Sequence, residues 1–94
     1  MKIAAVADPL TLQALRLMGI AGTPATTAEE ASAALDGYYE SDTVILISES
    51  AARLVRARVD RLKTARESVM ILEIPSMVTA ARDHEKAAKM NVRS

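Results

Sequence analysis

KIAAVADPLTLQALRLMG, Lys2–Gly19, is a strand followed without a pause by a capped helix. Lys2 to Ala7 form a continuous apolar run rather than an alternating one, the pattern of a strand covered on both faces, as in a parallel sheet. Asp8 and Pro9 stop the strand and start the helix. A carboxylate at the N-cap accepts from the first unpaired amides, and proline at the first helical position gives up no bond it would have made. The helix runs to Met18 and ends at Gly19.

The same grammar repeats outward from this unit. Ile20–Thr26 reads as a weak second strand, held to a sheet edge by Gly22 and Pro24. Thr27 and Glu30 have the spacing of a capping box, in which the cap is typically worth about 1 kcal/mol, and the helix continues through Ala31, Ala34 and Leu35 to Gly37. Thr43–Ser48, TVILIS, is crowded with β-branched residues between polar boundaries, which makes it the central strand. Ser48 or Ser50 caps the next helix, where Ala51, Val55, Val59 and Leu62 fall on one line. Ser68–Ile74, SVMILEI, is the fourth strand, and Pro75 ends it.

The order βαβαβαβ predicts an α/β fold: a small four-stranded parallel sheet in order 2-1-3-4, right-handed crossovers, helices on both faces and a C-terminal helical tail. The expected division is a Rossmann-like, receiver-like domain over 1–76 and a mobile helical tail over 77–94. That tail has helix-forming Ala, Glu, Lys and Arg but few large apolar side chains.

Composition narrows the function. Twelve basic and twelve acidic side chains cancel, so no overall field draws the chain to phosphate backbones or anionic lipid, and no nucleic-acid partner is expected. Cysteine is absent and the only aromatic residues are Tyr38 and Tyr39, which removes disulfides, thiol nucleophiles and cysteine metal sites. No apolar run reaches the roughly 18 to 20 residues a membrane helix needs, so direct membrane insertion is not expected. His84 is the single histidine, without a clear companion ligand. Ser48, Ser50 and Ser76 have no positioned histidine to activate them and read as caps and turn residues. The first strand is not followed by the glycine-rich turn that a dinucleotide requires. No cofactor, metal or catalytic residue is expected.

Two surfaces stand out. In the first helix Leu10, Leu12, Ala14, Leu15, Leu17 and Met18 cover well over half the circumference, more than one sheet face requires. It is either wedged among its own neighbours or shares its outer edge with another protein. The helix after the third strand carries Arg53, Arg56, Arg58, Arg61 and Lys63, a locally positive element in a neutral chain. It is either a solvated face or a contact for an acidic surface.

Three stretches together, MKIAAVADPLTLQALRLMGI, DTVILISESAARLVRARVDRL and VMILEIPS, carry a resemblance to a known family. A strand ending in Asp-Pro, a helix closing on Leu-x-Gly-Ile, a third strand ending in Ser-Glu and a fourth ending in Ile-Pro-Ser occur in order over Met1–Ser76. In this the chain resembles the F subunit of the archaeal/vacuolar-type (V/A-type) rotary ATPases. The resemblance implies a non-catalytic rotor component of the central stalk. Such a component binds the coiled-coil D subunit, helps couple ion transport to ATP synthesis or hydrolysis, and lies in the cytoplasm, peripheral to the membrane through the complex. It gives Leu12, Leu15, Arg53, Arg56, Ile74, Pro75 and Ser76 a shared expectation as a partner interface. It gives Arg82, Lys86 and Lys89 one as a regulatory tail near the catalytic A/B head. After Ser76 the chain departs from the family's usual Gly- and Asp-Pro-containing link and more hydrophobic final helix. The alternative is a receiver-like signalling or protein-interaction module using Asp8 or Asp42.

Overall fold

A computed structural model describes residues 1–77. β1 (Lys2–Ala7) lies between β2 (Gly22–Pro24) and β3 (Thr43–Ser48), with β4 (Val69–Ile74) beyond β3. All neighbours are parallel and the order is 2-1-3-4, as expected. The helices are α1 (Pro9–Leu17), α2 (Ala28–Tyr38), α3 (Glu49–Leu54) and α4 (Arg56–Ala65).

Register assigns each strand residue to a face, since laterally paired residues of parallel strands point the same way. Val6, Ile45, Ile47, Val69 and Ile71 face the layer built by α2, α3 and α4, where Ala31, Leu35, Ala51, Ala52 and Val59 complete an aliphatic core. Among the described residues the opposite face has α1 alone. There Leu12 and Leu15 pack on Ala5 and Ala7, with Ile20, Leu46 and Ile74 half-buried beside them.

Helix starts follow the sequence closely. Asp8 accepts from Thr11 N at 3.1 Å and Thr27 from Glu30 N at 3.1 Å. The Glu30 carboxylate reaches one residue further back than an ideal capping box, to Thr26 N at 3.3 Å.

Two expectations on element length change. The segment after β3 forms two helices, because Val55 leaves helical geometry (φ −135°, ψ 40°) and α4 begins without a side-chain cap. The break lets Ala51 and Ala52 of α3 and Val59 of α4 enter one core. The second strand is three residues rather than the seven of Ile20–Thr26: its ladder is closed by Ala5 N to Ala21 O at 3.0 Å and Ala25 N to Ala7 O at 2.8 Å.

α1 ends in a Schellman arrangement, with Ile20 N donating to Leu15 O at 3.1 Å and Gly19 N to Arg16 O at 3.0 Å. Gly19 sits at φ 85° with no atom near the place of a Cβ. Gly19→Ala should therefore destabilise the fold by about 1 kcal/mol through the backbone alone, as read from a urea unfolding curve with an unchanged slope.

Candidate functional site

In open α/β sheets the region beyond the carboxyl ends of the strands is where ligands usually bind. Here that region is occupied by the chain's own polar side chains. Asp8, at the end of β1, is buried. Its carboxylate accepts from Thr11 Oγ1 at 2.8 Å and from Ser50 Oγ at 2.7 Å, besides the Thr11 amide. Ser76, also buried, donates its hydroxyl to Ser50 Oγ at 3.0 Å and accepts from Ser50 N at 2.9 Å. Met77 N donates to Thr11 Oγ1 at 2.8 Å. Ser48 Oγ caps α3 by accepting from Ala51 N and also accepts from Asp8 N, both at 3.3 Å.

These bonds join the ends of β1, β3 and β4 to the starts of α1 and α3. Burial alone would raise the Asp8 pKa, but hydrogen bonds from Ser50 and Thr11 outweigh it and hold the carboxyl below its ordinary value. The carboxylate is thus a fully engaged acceptor, and the serine and threonine hydroxyls around it are already committed. The cluster acts as a clasp on the point where the chain leaves β4. Ser48 ends β3, and capping of α3 engages its oxygen. Among the described residues, no three histidine or carboxylate side chains converge on a common point that could hold a metal ion.

A second feature lies on the α2–α4 side. Glu73 is bound by Arg56 through both carboxylate oxygens and by Lys63 at 2.7 Å. The hydrogen bonds from Arg56 and then Lys63 hold the Glu73 pKa down, to about 2. Arg58 pairs with Asp36, tying α4 to α2. Between these helices an open cleft of about 450 Å³ is lined by Leu54, Val55, Ala57 and Arg61, with Ala28 and Ser32 opposite. It combines an apolar floor with a rim of Arg56, Arg58 and Arg61 and the single carboxylate of Glu29.

The residues expected at a partner interface separate. Leu12 is 1% exposed and Leu15 is also buried. Both face the sheet, so α1 offers a partner Leu10, Leu17 and Met18 instead, all exposed. Ser76 is buried inside the clasp, so it holds the chain rather than a partner. Ile74 is half-buried against the α1 layer, and Pro75 is exposed. Arg53 and Arg56 are exposed, and the contact with Glu73 sets Arg56 beside the end of β4 on the face opposite Leu12. Arg82, Lys86 and Lys89, and the expected tail apart from Met77, lie outside the described residues.

Thr11 had no place in the sequence reading of a site, and Lys63 entered it only as one charge of the basic helix. Their signals were present but weak: Thr11 stands three residues after a capping aspartate, and Lys63 on the same helix as Arg56. Only the register of β4 shows that Glu73 meets both Arg56 and Lys63.

Comparison with known proteins shows a family over nearly the whole chain. The family described as ATP synthase (F/14-kDa) subunit matches residues 3–92. The V-type ATP synthase F subunit of one Thermus thermophilus strain is 33% identical over 85 residues, covering 88% of this chain and 82% of that protein. The protein of the same name in a second strain of that organism matches to the same extent. No helix among the described residues is long and apolar enough to cross a membrane.

Proposed function

The chain belongs to the ATP synthase (F/14-kDa) subunit family, and on that premise we propose that it is a non-catalytic rotor component of a V/A-type ATP synthase that binds the coiled-coil D subunit in the central stalk. The observation that carries this reading is the match to the family over residues 3–92, nearly the whole chain. Its physical counterpart is the α3–α4 surface, where exposed Leu54 and half-buried Val55 are bordered by Arg53, Arg56 and Arg61.

A coiled coil presents a long, charge-rich side to its neighbours. Apolar anchors ringed by charge pairs hold such a surface in register and resist sliding, which is what torque transmission demands. No reactive group takes part. Arg56, already fixed by Glu73, meets a partner with its side chain ordered, while Arg53 supplies the more mobile charge. Exposed Pro75 extends the surface at the end of β4. Arg82, Lys86 and Lys89 belong to a separate contact, made by the tail with the catalytic A/B head. The complex, through its other components, places the protein at the membrane.

Purified chain and its cognate D subunit should co-elute as one species from a sizing column. Failure to do so with a folded rotor would defeat the assignment. The surface has its own test. Arg53→Glu with Arg56→Glu should weaken binding of the D subunit by roughly tenfold or more, and Arg82→Glu with Lys86→Glu should leave it nearly unchanged. Equal losses in a titration, with both variants melting normally, would put the contact elsewhere.

A further inference from the structure

α4 is held to the molecule differently from the other helices. Of its ten residues only Val59 is buried, with Leu62 half-buried against the same core. Helices shorter than about 12–15 residues are marginal in water, so α4 depends on whatever fastens it. Its start is also unsupported. Val55, at φ −135° and ψ 40°, gives no side-chain cap, and the first hydrogen bond of the helix, Val59 N to Val55 O at 3.0 Å, is made to a residue outside helical geometry. By contrast α1, α2 and α3 each begin on a side-chain cap and bury two or three residues apiece.

The remaining ties of α4 are polar. Glu73 of β4 takes Arg56 at its start and Lys63 near its end. Asp36 of α2 takes Arg58, and Tyr39 Oη donates to the Leu62 carbonyl at 3.1 Å. The Glu73 side chain is 26% exposed and that of Asp36 56%, so solvent screens the Asp36 pair more and Glu73 is the stronger tie. The closed position leaves one donor unsatisfied: Arg58 Nε is buried with no acceptor among the described residues.

We propose that α4 opens as a unit of its own, separately from the sheet, with Val55 as the hinge at its start and Glu73 as its main catch. The surface that α3 and α4 offer jointly exists only while the catch is closed. The share of chains able to present it therefore falls as Glu73 loses its partners. Salt is the natural trigger, because it screens exposed ion pairs and leaves the pairing of the sheet in place. Opening of α4 requires no partner, so it and the binding of the D subunit fail separately.

Native-state hydrogen exchange of the full chain reads such an opening residue by residue. Amides of residues 59–65 should exchange roughly tenfold or more faster than those of β1 and β3. Glu73→Gln should speed the α4 amides by a further factor of about five, and Asp36→Asn by less, with β1 and β3 unchanged. Potassium chloride raised from about 0.01 M to about 1 M shortens the screening length from roughly 30 Å to 3 Å. It should speed α4 in the parent and have little effect in Glu73→Gln with Asp36→Asn. Amides of α4 that exchange at the β3 rate, or that move together with β1 and β3 in every variant, would overturn the proposal, since that is the pattern of global unfolding. An α4 rate indifferent to both Glu73→Gln and salt would overturn it as well.

Discussion

Asp8→Ala should cost about 3 kcal/mol of unfolding free energy at neutral pH. The substitution removes the N-cap of α1 and, with it, the acceptor for the hydroxyls of Thr11 and Ser50. Those hydroxyls are themselves used, by Met77 N and by Ser76, so the loss passes to the end of β4. Asp8→Asn separates shape from charge. Asparagine caps a helix nearly as well as aspartate, but its amide nitrogen cannot accept from a hydroxyl.

The pH dependence has a definite sign. The folded carboxyl titrates below its ordinary value of 3.8, so its ionisation stabilises the fold fully above that value, and the contribution fades as pH falls from there through the folded pKa. The deficit of Asp8→Asn relative to the parent should thus be constant near neutrality and shrink in acid. Glu73, held near 2, also titrates in acid, but it does so in both proteins and cancels in the comparison. Urea midpoints measured side by side decide the matter. A deficit unchanged in acid would mean that the ionised carboxylate is not what closes the clasp.

The elements most legible in the sequence were those in which local chemistry and tertiary environment ask for the same thing. β3 is Thr43–Ser48 to the residue because its β-branched run is bounded on both sides by polar residues and it pairs with β1 on one edge and β4 on the other. Asp8 with Pro9, and Thr27 with Glu30, mark helix starts through bonds made within four residues. Val55 shows the limit. Nothing local separates it from Val59, and the break there answers to how α3 and α4 must each reach the core. The two sides of α1 were equally illegible from local pattern. Leu12 and Leu15 lie on an apolar helix that periodicity alone makes too wide, and only packing shows that they are the sheet side while Leu10, Leu17 and Met18 are the outer side. The clasp was visible as separate parts, because Asp8, Ser48, Ser50 and Ser76 each read as a cap or turn residue. Bonds that span up to 66 positions, such as Met77 N to Thr11 Oγ1, exist only once strand order has been chosen.

Gly22→Val should be among the most destabilising single changes in the described fold, at about 3 kcal/mol. The reason differs from that at Gly19, where φ is the obstacle and space is free. At Gly22 a Cβ would overlap the carbonyl oxygen of Ala5 and stand 2.8 Å from both Ala5 Cβ and Leu12 Cδ1. The first two neighbours belong to or stand on the backbone of β1, which is held on its other side by β3 and cannot retreat. The third belongs to a side chain 1% exposed. The clash is relieved most readily by lifting β2 off β1. That lengthens the bonds from Ala5 N to Ala21 O and from Ala25 N to Ala7 O, and pulls Thr23 from Tyr38 Oη, now at 2.7 Å. Since the chain lacks tryptophan, tyrosine emission reports that separation directly. Gly22→Ala with Leu12→Val supplies the control. Shortening Leu12 clears one of the three contacts, so the double variant should lose less than the sum of the singles. It should still fall short of the parent, because the Ala5 backbone stays where the sheet holds it. Strict additivity would place the strain wholly in the backbone of β1, and full recovery would place it wholly in the Leu12 side chain.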